Sequence, residues 1–96
     1  SERIPAQRCV ELGLANKAVP AAEVRDAALE WAETLAQRAP LSLAATKKTM
    51  RHAIDNDWAS TYNMESDWQQ ALVGSEDNLE GVQAFFEKRA PAFKGK

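Results

Sequence analysis

The sequence is poor in the residues that build disulfides and metal sites. It has one cysteine, Cys9, and one histidine, His52, among 96 residues. One cysteine cannot form an intramolecular disulfide, and one cysteine with one histidine supplies too few ligands for a zinc or iron site. We therefore expect no metal site, and we expect the chain to work in a reducing compartment.

Long apolar runs and an excess of positive charge are also missing. No apolar run approaches the length of a membrane span, and Ser1 to Val10 carries three charged side chains where a secretory signal needs an apolar core. The formal net charge of -2 provides no general attraction to DNA or to anionic lipid. These absences predict a cytoplasmic location, with no nucleic acid and no membrane among the partners.

No group of residues has the spacing of a catalytic site. The sequence contains no glycine-rich phosphate loop. Its serines have only His52 as a base, and no acid is placed to orient that ring. Acid–base work by Glu65 or Asp67 would require a second positioned group, and none is evident. We therefore assign no catalytic residue to this chain.

The sequence is rich in helical patterns. Pro5 to Leu12 suits a short helix that Gly13 closes in the left-handed conformation. Leu14–Val19 is the only plausible strand, and nothing else in the chain can pair with it. Further amphipathic helices are predicted at Ala22–Arg38, at Leu41–Ile54, from Trp58 to about Val73, and after Ser75. The predicted fold class is mainly all-α, with four to five amphipathic helices and at most one short orphan strand near Leu14–Val19.

Two polar residues on these helices have open interpretations. Lys47 shares a helix face with Leu43 and Met50. Either its methylene groups cover apolar surface while its ammonium reaches water, or it contacts an anionic ligand or a partner chain. Glu65 is either a pocket carboxylate or a rim residue satisfied by hydrogen bonds. The apolar face of Ala22–Arg38 is interpreted as facing a core.

The last helix has marked ends and an extra aromatic residue. Ser75 can cap its start, and Lys88 with Arg89 is expected in its last turn, before Pro91 stops it. Phe85 lies about 90° from the apolar stripe of this helix, and Lys88 lies on the same flank as Phe85. The stripe consists of Leu79, Val82 and Phe86. Phe85 and Lys88 suit a nucleotide, because a base can stack on the ring while a phosphate meets the ammonium. The alternative is that Phe85 packs on a neighbouring helix and Lys88 is solvated.

Three segments, in order, resemble one family. The stretch from Ile4 to Pro20, with CVELGLANKAVP at its end, resembles the strand-entering signature of the enoyl-CoA hydratase/isomerase (crotonase) superfamily. Arg38–Leu41 with Ala44–Lys47 resembles a helix opening of that family. Its C-terminal ending is matched at Asp77, Glu80–Gly81, Ala84–Phe85, Glu87–Arg89, Pro91 and Phe93–Lys94. Together the three segments span essentially the whole chain.

The resemblance implies that the chain is the C-terminal third of such an enzyme. Residues 1–20 are then the tail of the crotonase-like spiral core, and residues 21–96 are the C-terminal helical trimerisation region. In this family two backbone N–H groups form an oxyanion hole, and glutamates transfer protons in the hydratases. Those groups lie upstream of Ser1, so the chain alone is expected not to be catalytic, although its parent is expected to be an enoyl-CoA hydratase/isomerase.

The resemblance also implies a ligand. Related enzymes place an aromatic residue and a lysine at the positions of Phe85 and Lys88 against the adenine and the 3′-phosphate of coenzyme A, commonly in the pocket of a neighbouring subunit. Coenzyme A is then part of an acyl-CoA substrate, and no tightly bound cofactor is expected. Some relatives carry another aromatic residue at Gln69, so the acyl preference stays open.

Two hypotheses follow. In the first, the chain is a C-terminal oligomerisation and coenzyme A-contacting segment, which self-associates as a trimer or dimer of trimers through faces bearing Trp31, Met64 and Trp68. In the second, it is a free-standing helical interaction module with no coenzyme A role. Because the chain starts at Ser1 without methionine, we expect a fragment, with an engineered chain whose tag was removed as the alternative. The segment Ala90–Lys96 can be disordered without its neighbours.

Overall fold

The computed structural model describes residues 2–96 and is helical. Within this range its elements are α1 (Ala6–Glu11), a 3-10 turn (Ala21–Glu23), α2 (Val24–Ala36), α3 (Pro40–Asp55), α4 (Trp58–Leu72) and α5 (Glu76–Glu87). The predicted all-α class is confirmed. Residues 2–96 contain no strand, and the stretch Leu14–Val19 is irregular backbone. The chain divides into two compact units, one reaching Glu33 and one from Thr34–Lys96.

In the first unit, a glycine closes α1 as the sequence predicted. Gly13 has a φ of 73°, in the left-handed region that favours glycine. Its N–H donates to the carbonyl of Val10 at 3.0 Å, and the N–H of Leu14 donates to the carbonyl of Cys9 at 2.8 Å. This pair of hydrogen bonds is the Schellman closure, which satisfies carbonyls that the helix end leaves free.

In the second unit, α3 and α4 form an antiparallel pair. Nε2 of His52, near the end of α3, lies 2.8 Å from Oγ of Ser60, near the start of α4. Earlier in α3, the ammonium of Lys48 lies 4.7 Å from the ring centre of Trp68, late in α4. Asp57 caps α4 by accepting the N–H of Ser60 at 2.7 Å, as expected for an aspartate at this position.

Helix α5 starts as predicted but ends at Glu87, before the two cations. Ser75 accepts the N–H of Asn78 at 3.1 Å, which confirms it as the cap. The sequence placed Lys88 and Arg89 in the last turn, whereas α5 ends at Glu87 and Lys88 adopts φ 55° and ψ 37°. The reason is a second Schellman closure, in which Arg89 donates its N–H to the carbonyl of Ala84 at 3.1 Å.

The tail after α5, residues 89–96, folds back onto the helix. The carboxylate of Asp77 accepts the N–H of Lys94 at 2.6 Å and that of Gly95 at 2.8 Å. The N–H of Asp77 donates to the carbonyl of Lys96 at 2.9 Å. The segment that was expected to depend on other surfaces therefore has a docking site on a helix of its own chain.

Few side chains of this chain are buried within it. Only Ala45, Asp77 and Ala84 are buried among the described residues. Large apolar side chains on every long helix remain exposed, among them Val24, Trp31, Met50, Ile54, Trp58, Leu79, Phe85 and Phe86. The faces that were interpreted as core-facing on α2 and α5 are therefore not covered by the described residues.

Candidate functional site

An open cleft of about 530 Å³ lies beside α5, within the second unit. Helix α4 contributes Gln69 and Leu72 to its wall, α5 contributes Gly81 and Phe85, and the tail contributes Phe93. The lining is mostly apolar, with a few polar groups at the edge, which is the usual composition of a small-molecule site. Both Phe85 and Gln69, which the sequence analysis singled out separately, lie on this one cleft.

Phe85 presents its ring to solvent at the cleft. Its side chain is 79% exposed, and it packs edge-to-face on Phe86 with ring centres 5.8 Å apart. The predicted contrast between a packed Phe86 and a free Phe85 does not appear in this chain, because Phe86 is exposed as well and lines the same cleft. Two adjacent rings therefore offer stacking surface to a planar ligand.

Lys88 lies at the point where α5 ends, three residues after Phe85. Its N–H donates to the carbonyl of Phe85 at 3.3 Å. It is the one residue other than glycine with a positive φ among residues 2–96, at a position where glycine is the commonest choice. Its side chain forms no ion pair with any described residue. The ammonium is thus available to an anion.

The neighbouring cation, Arg89, is already engaged. Its guanidinium donates to both carboxylate oxygens of Glu80, with Nη2 2.9 Å from Oε2, and its Nε donates to Glu87 at 2.6 Å. These hydrogen bonds raise the pKa of Arg89 above its usual value. Of the two cations that end this helix, Lys88 is therefore the one that can meet a ligand.

The carboxylates around Arg89 are stabilised in their charged forms. Hydrogen bonds from the side chain of Arg89 and from the N–H of Ala92, at 2.8 Å, lower the pKa of Glu80 to about 2. A hydrogen bond from Gln83, followed by one from Arg89, lowers the pKa of Glu87. Charged hydrogen-bond partners favour the ionised carboxylate in this way.

The remaining candidates lie elsewhere in the second unit. Glu65 is exposed and lines a groove between α3 and α4, and it has no hydrogen bond to a described residue. Lys47 is exposed on α3. Neither residue lines the cleft that bears Phe85.

The contact between His52 and Ser60 could not be predicted from the sequence. Their side chains lie 2.8 Å apart, which is within the reach of a nucleophile and its base. No described carboxylate orients the other ring nitrogen, and the N–H of Ser60 is taken by Asp57, so it is not available to an oxyanion. We interpret the pair as a hydrogen bond that joins α3 to α4. The residues are eight positions apart, and only the antiparallel turn brings them together.

No group of three or more histidine, cysteine, aspartate or glutamate side chains among residues 2–96 is arranged to hold a metal ion. No helix in the described part of the chain has the length and apolar character needed to cross a bilayer.

Comparison with known proteins identifies the family. The family model for enoyl-CoA hydratase/isomerase matches residues 1–96. The chain belongs to the enoyl-CoA hydratase/isomerase family. It is similar to an enoyl-CoA hydratase of known structure from Polaromonas sp. JS666, with a TM-score of 0.92 and 35% identity over 97% of this chain. The resemblance noted in the sequence is confirmed.

Other members of the family that resemble the chain differ in their names. It is 37% identical over 98% of its length to carnitinyl-CoA dehydratase of Proteus mirabilis, and 34% identical over 96% of its length to methylmalonyl-CoA decarboxylase of Escherichia coli. The chain spans 38% of the first relative and 36% of the second, and 36% of the Polaromonas hydratase. It therefore corresponds to little more than a third of each protein.

Proposed function

We propose that this chain is the C-terminal oligomerisation and coenzyme A-contacting segment of an enoyl-CoA hydratase/isomerase that acts on acyl-CoA thioesters. Residues 1–20 are the tail of the spiral core, and residues 21–96 are the helical trimerisation region. The proposed location is the cytoplasm, which the single cysteine, Cys9, supports. The catalytic groups of the parent enzyme lie outside this chain.

The diversity of the relatives supports a role in binding coenzyme A. One relative is named as a dehydratase and another as a decarboxylase, and both names specify coenzyme A esters. A segment common to enzymes of different reaction types is expected to bind the part that their substrates have in common. The shared part of those substrates is the coenzyme A moiety.

One observation carries the assignment of Phe85 and Lys88 to that moiety. An exposed ring on an open cleft is followed, three residues later, by an unpaired ammonium at the helix end. Adenine stacks on an aromatic face, and a phosphate attracts an ammonium. Lysine also costs more than glycine in the left-handed conformation of residue 88, so backbone geometry does not account for a lysine at this position.

The uncovered apolar surface supports the oligomerisation half of the proposal. Trp58 is 78% exposed and stacks on Tyr62, with ring centres 5.3 Å apart. Ile54 and Met50 are exposed on the preceding helix. Apolar side chains exposed in this number typically mark surfaces that another polypeptide covers. In this proposal the covering surfaces belong to the spiral core and to further subunits.

A substrate pair tests the coenzyme A role in the full-length enzyme that carries this segment. Lys88→Ala is expected to raise KM for an acyl-CoA about tenfold or more, because a charge-assisted hydrogen bond is worth roughly 1.5–3 kcal/mol. The same variant should leave KM for the matching acyl-pantetheine, which lacks the nucleotide, nearly unchanged. Lys17→Ala, which also removes one exposed lysine, is the control. Equal losses with both substrates would show that Lys88 is structural.

A further inference from the structure

Phe93 lines two clefts in the second unit, as do Ala39 and Ser42. It lines the cleft that bears Phe85. It also lines a second open cleft, of about 710 Å³, which residues such as Arg38 and Thr46 form with the start of the tail. Of the tail residues, Phe93 is the one that borders both spaces.

The two neighbours of Phe93 are held by two carboxylates one turn apart on α5. The N–H of Ala92 donates to Glu80 at 2.8 Å, and the N–H of Lys94 donates to Asp77 at 2.6 Å. Asp77 is 4% exposed, and two backbone donors of the tail converge on its carboxylate. The backbone on both sides of Phe93 is therefore anchored to the same helix, which fixes where the ring leaves the tail.

A glycine on α5 provides the space for the ring. A Cβ at Gly81 would lie 3.5 Å from Cε1 of Phe93 and 3.8 Å from Cζ. These are ordinary van der Waals distances, so a methyl group fits there and a longer side chain would meet the ring. Gly81 follows Glu80 directly, so the carboxylate that anchors the tail and the glycine beside the Phe93 ring are adjacent in the chain.

The tail also reaches the first residue of α3. A Cβ at Gly95 would lie 3.9 Å from two carbons of Pro40, and Gly95 has a φ of 75°. The tail therefore contacts α5 through its hydrogen bonds, and Gly95 lies close to the start of α3.

We infer that Asp77 and Glu80 are positioning residues for the coenzyme A site. We call the two carboxylates the latch, because they hold the tail so that Phe93 forms a fixed wall of the cleft on which Phe85 presents its ring. This inference rests on the proposed function. Neither carboxylate touches the substrate, and their effect passes through Phe93. The lowered pKa of Glu80 means that this carboxylate stays charged in mildly acidic solution.

Three variants of the full-length enzyme test the latch. Glu80→Gln weakens one anchor, Gly81→Leu displaces the ring while leaving both carboxylates in place, and Phe93→Ala removes the wall. Glu76→Gln, on the same helix turn as Asp77 but exposed, is the matched control. One readout is amide hydrogen exchange at Ala92 and Lys94, and the other is the KM for an acyl-CoA and for the matching acyl-pantetheine.

We expect faster amide exchange at Ala92 in Glu80→Gln than in the unmodified enzyme. In all three variants the KM for acyl-CoA should rise about fivefold. The kcat and the KM for acyl-pantetheine should stay within about twofold of the unmodified enzyme's values. If Glu80→Gln does not fold, Asp77→Asn weakens the other anchor and tests the same inference through exchange at Lys94. Unchanged exchange in Glu80→Gln, or equal changes for both substrates in the other variants, overturns it.

The same assay separates this inference from the function on which it rests. If Lys88→Ala raises the KM for acyl-CoA more than the KM for acyl-pantetheine and the three tail variants do not, the latch inference alone fails. If neither Lys88→Ala nor Phe85→Ala affects the KM for acyl-CoA, the proposed function fails and the latch inference fails with it. In that case, a change in exchange at Ala92 would report tail docking without a role at the site.

Discussion

Lys88 closes α5 by donating its N–H to the carbonyl of Phe85 at 3.3 Å, while its own backbone is left-handed. The two residues proposed to meet coenzyme A are therefore joined by the hydrogen bond that ends the helix. As a result, the position of the ammonium relative to the ring depends on this closure. Stability and the proposed ligand binding make opposite demands on residue 88, since glycine suits the backbone and lysine would suit a phosphate.

Replacing Lys88 by glycine should separate these demands. Lys88→Gly is expected to stabilise the end of α5 by about 1 kcal/mol, because glycine adopts the left-handed conformation without the strain of a Cβ. Its binding of acyl-CoA should weaken as in Lys88→Ala. Amide exchange at Arg89 and the KM for acyl-CoA are the two measurements. Gln83→Gly, inside α5, is the control and should destabilise the helix by about 0.5–1 kcal/mol.

Acid should release the tail through Glu80. The pKa of this carboxyl falls from 4.5 to about 2, so the stability that its ionised form contributes is complete above about pH 4.5 and is lost as the pH falls towards 2. Protection of the Ala92 amide, followed by NMR, should decrease across that interval. In Glu80→Gln the decrease should be absent. A midpoint near pH 4.5 in the unmodified chain would contradict the lowered pKa.

Gly81 should accept a methyl group. Gly81→Ala is expected to stabilise α5 by about 0.5–1 kcal/mol, because alanine loses less backbone entropy than glycine in a helix interior. The new Cβ would lie 3.5 Å from Phe93, which requires no displacement of the ring. Thermal unfolding compares the variant with the unmodified protein. A loss of stability in Gly81→Ala would show that the ring packs against the helix more closely than this distance indicates.

Trp58 is the apolar side chain whose removal should reveal association. If its exposed face lies in a contact between polypeptides, Trp58→Ala should weaken that contact by about 2 kcal/mol, or roughly thirtyfold in Kd, as is usual for a buried aromatic anchor. Sedimentation velocity over a concentration series measures the change. Asn63→Ala, on the same helix, is the control. A chain that sediments as a compact monomer, without response to salt or to either substitution, would contradict the oligomerisation role.

Local features of this fold could be predicted from the sequence. Ser75 caps α5 as predicted, and Asp57 caps α4 in the same way, because a cap needs only a side-chain oxygen and an amide three residues on. Gly13 closes α1 for a similarly local reason. The strand at Leu14–Val19 did not form in this chain, and an extended segment without a partner has no ladder of hydrogen bonds to hold it. The family resemblance was confirmed because its motifs span the whole chain.

Other features depend on contacts between distant residues. The tail reverses direction after Lys88. This reversal brings Arg89 to Glu80, where the two side chains form hydrogen bonds, and it places Phe93 beside Gly81. The hydrogen bond from His52 to Ser60 likewise needs the turn between α3 and α4. Periodicity reports which residues share a helix face, and it does not report which faces stay open to solvent.

The helices and their caps are thus determined by short stretches of sequence, because each of their hydrogen bonds joins residues a few positions apart. The cleft, its wall at Phe93 and the availability of Lys88 rather than Arg89 come from the way the chain folds back on itself. The free energy of those contacts depends on distances between residues 9 to 18 positions apart, and local propensity carries no information about such distances.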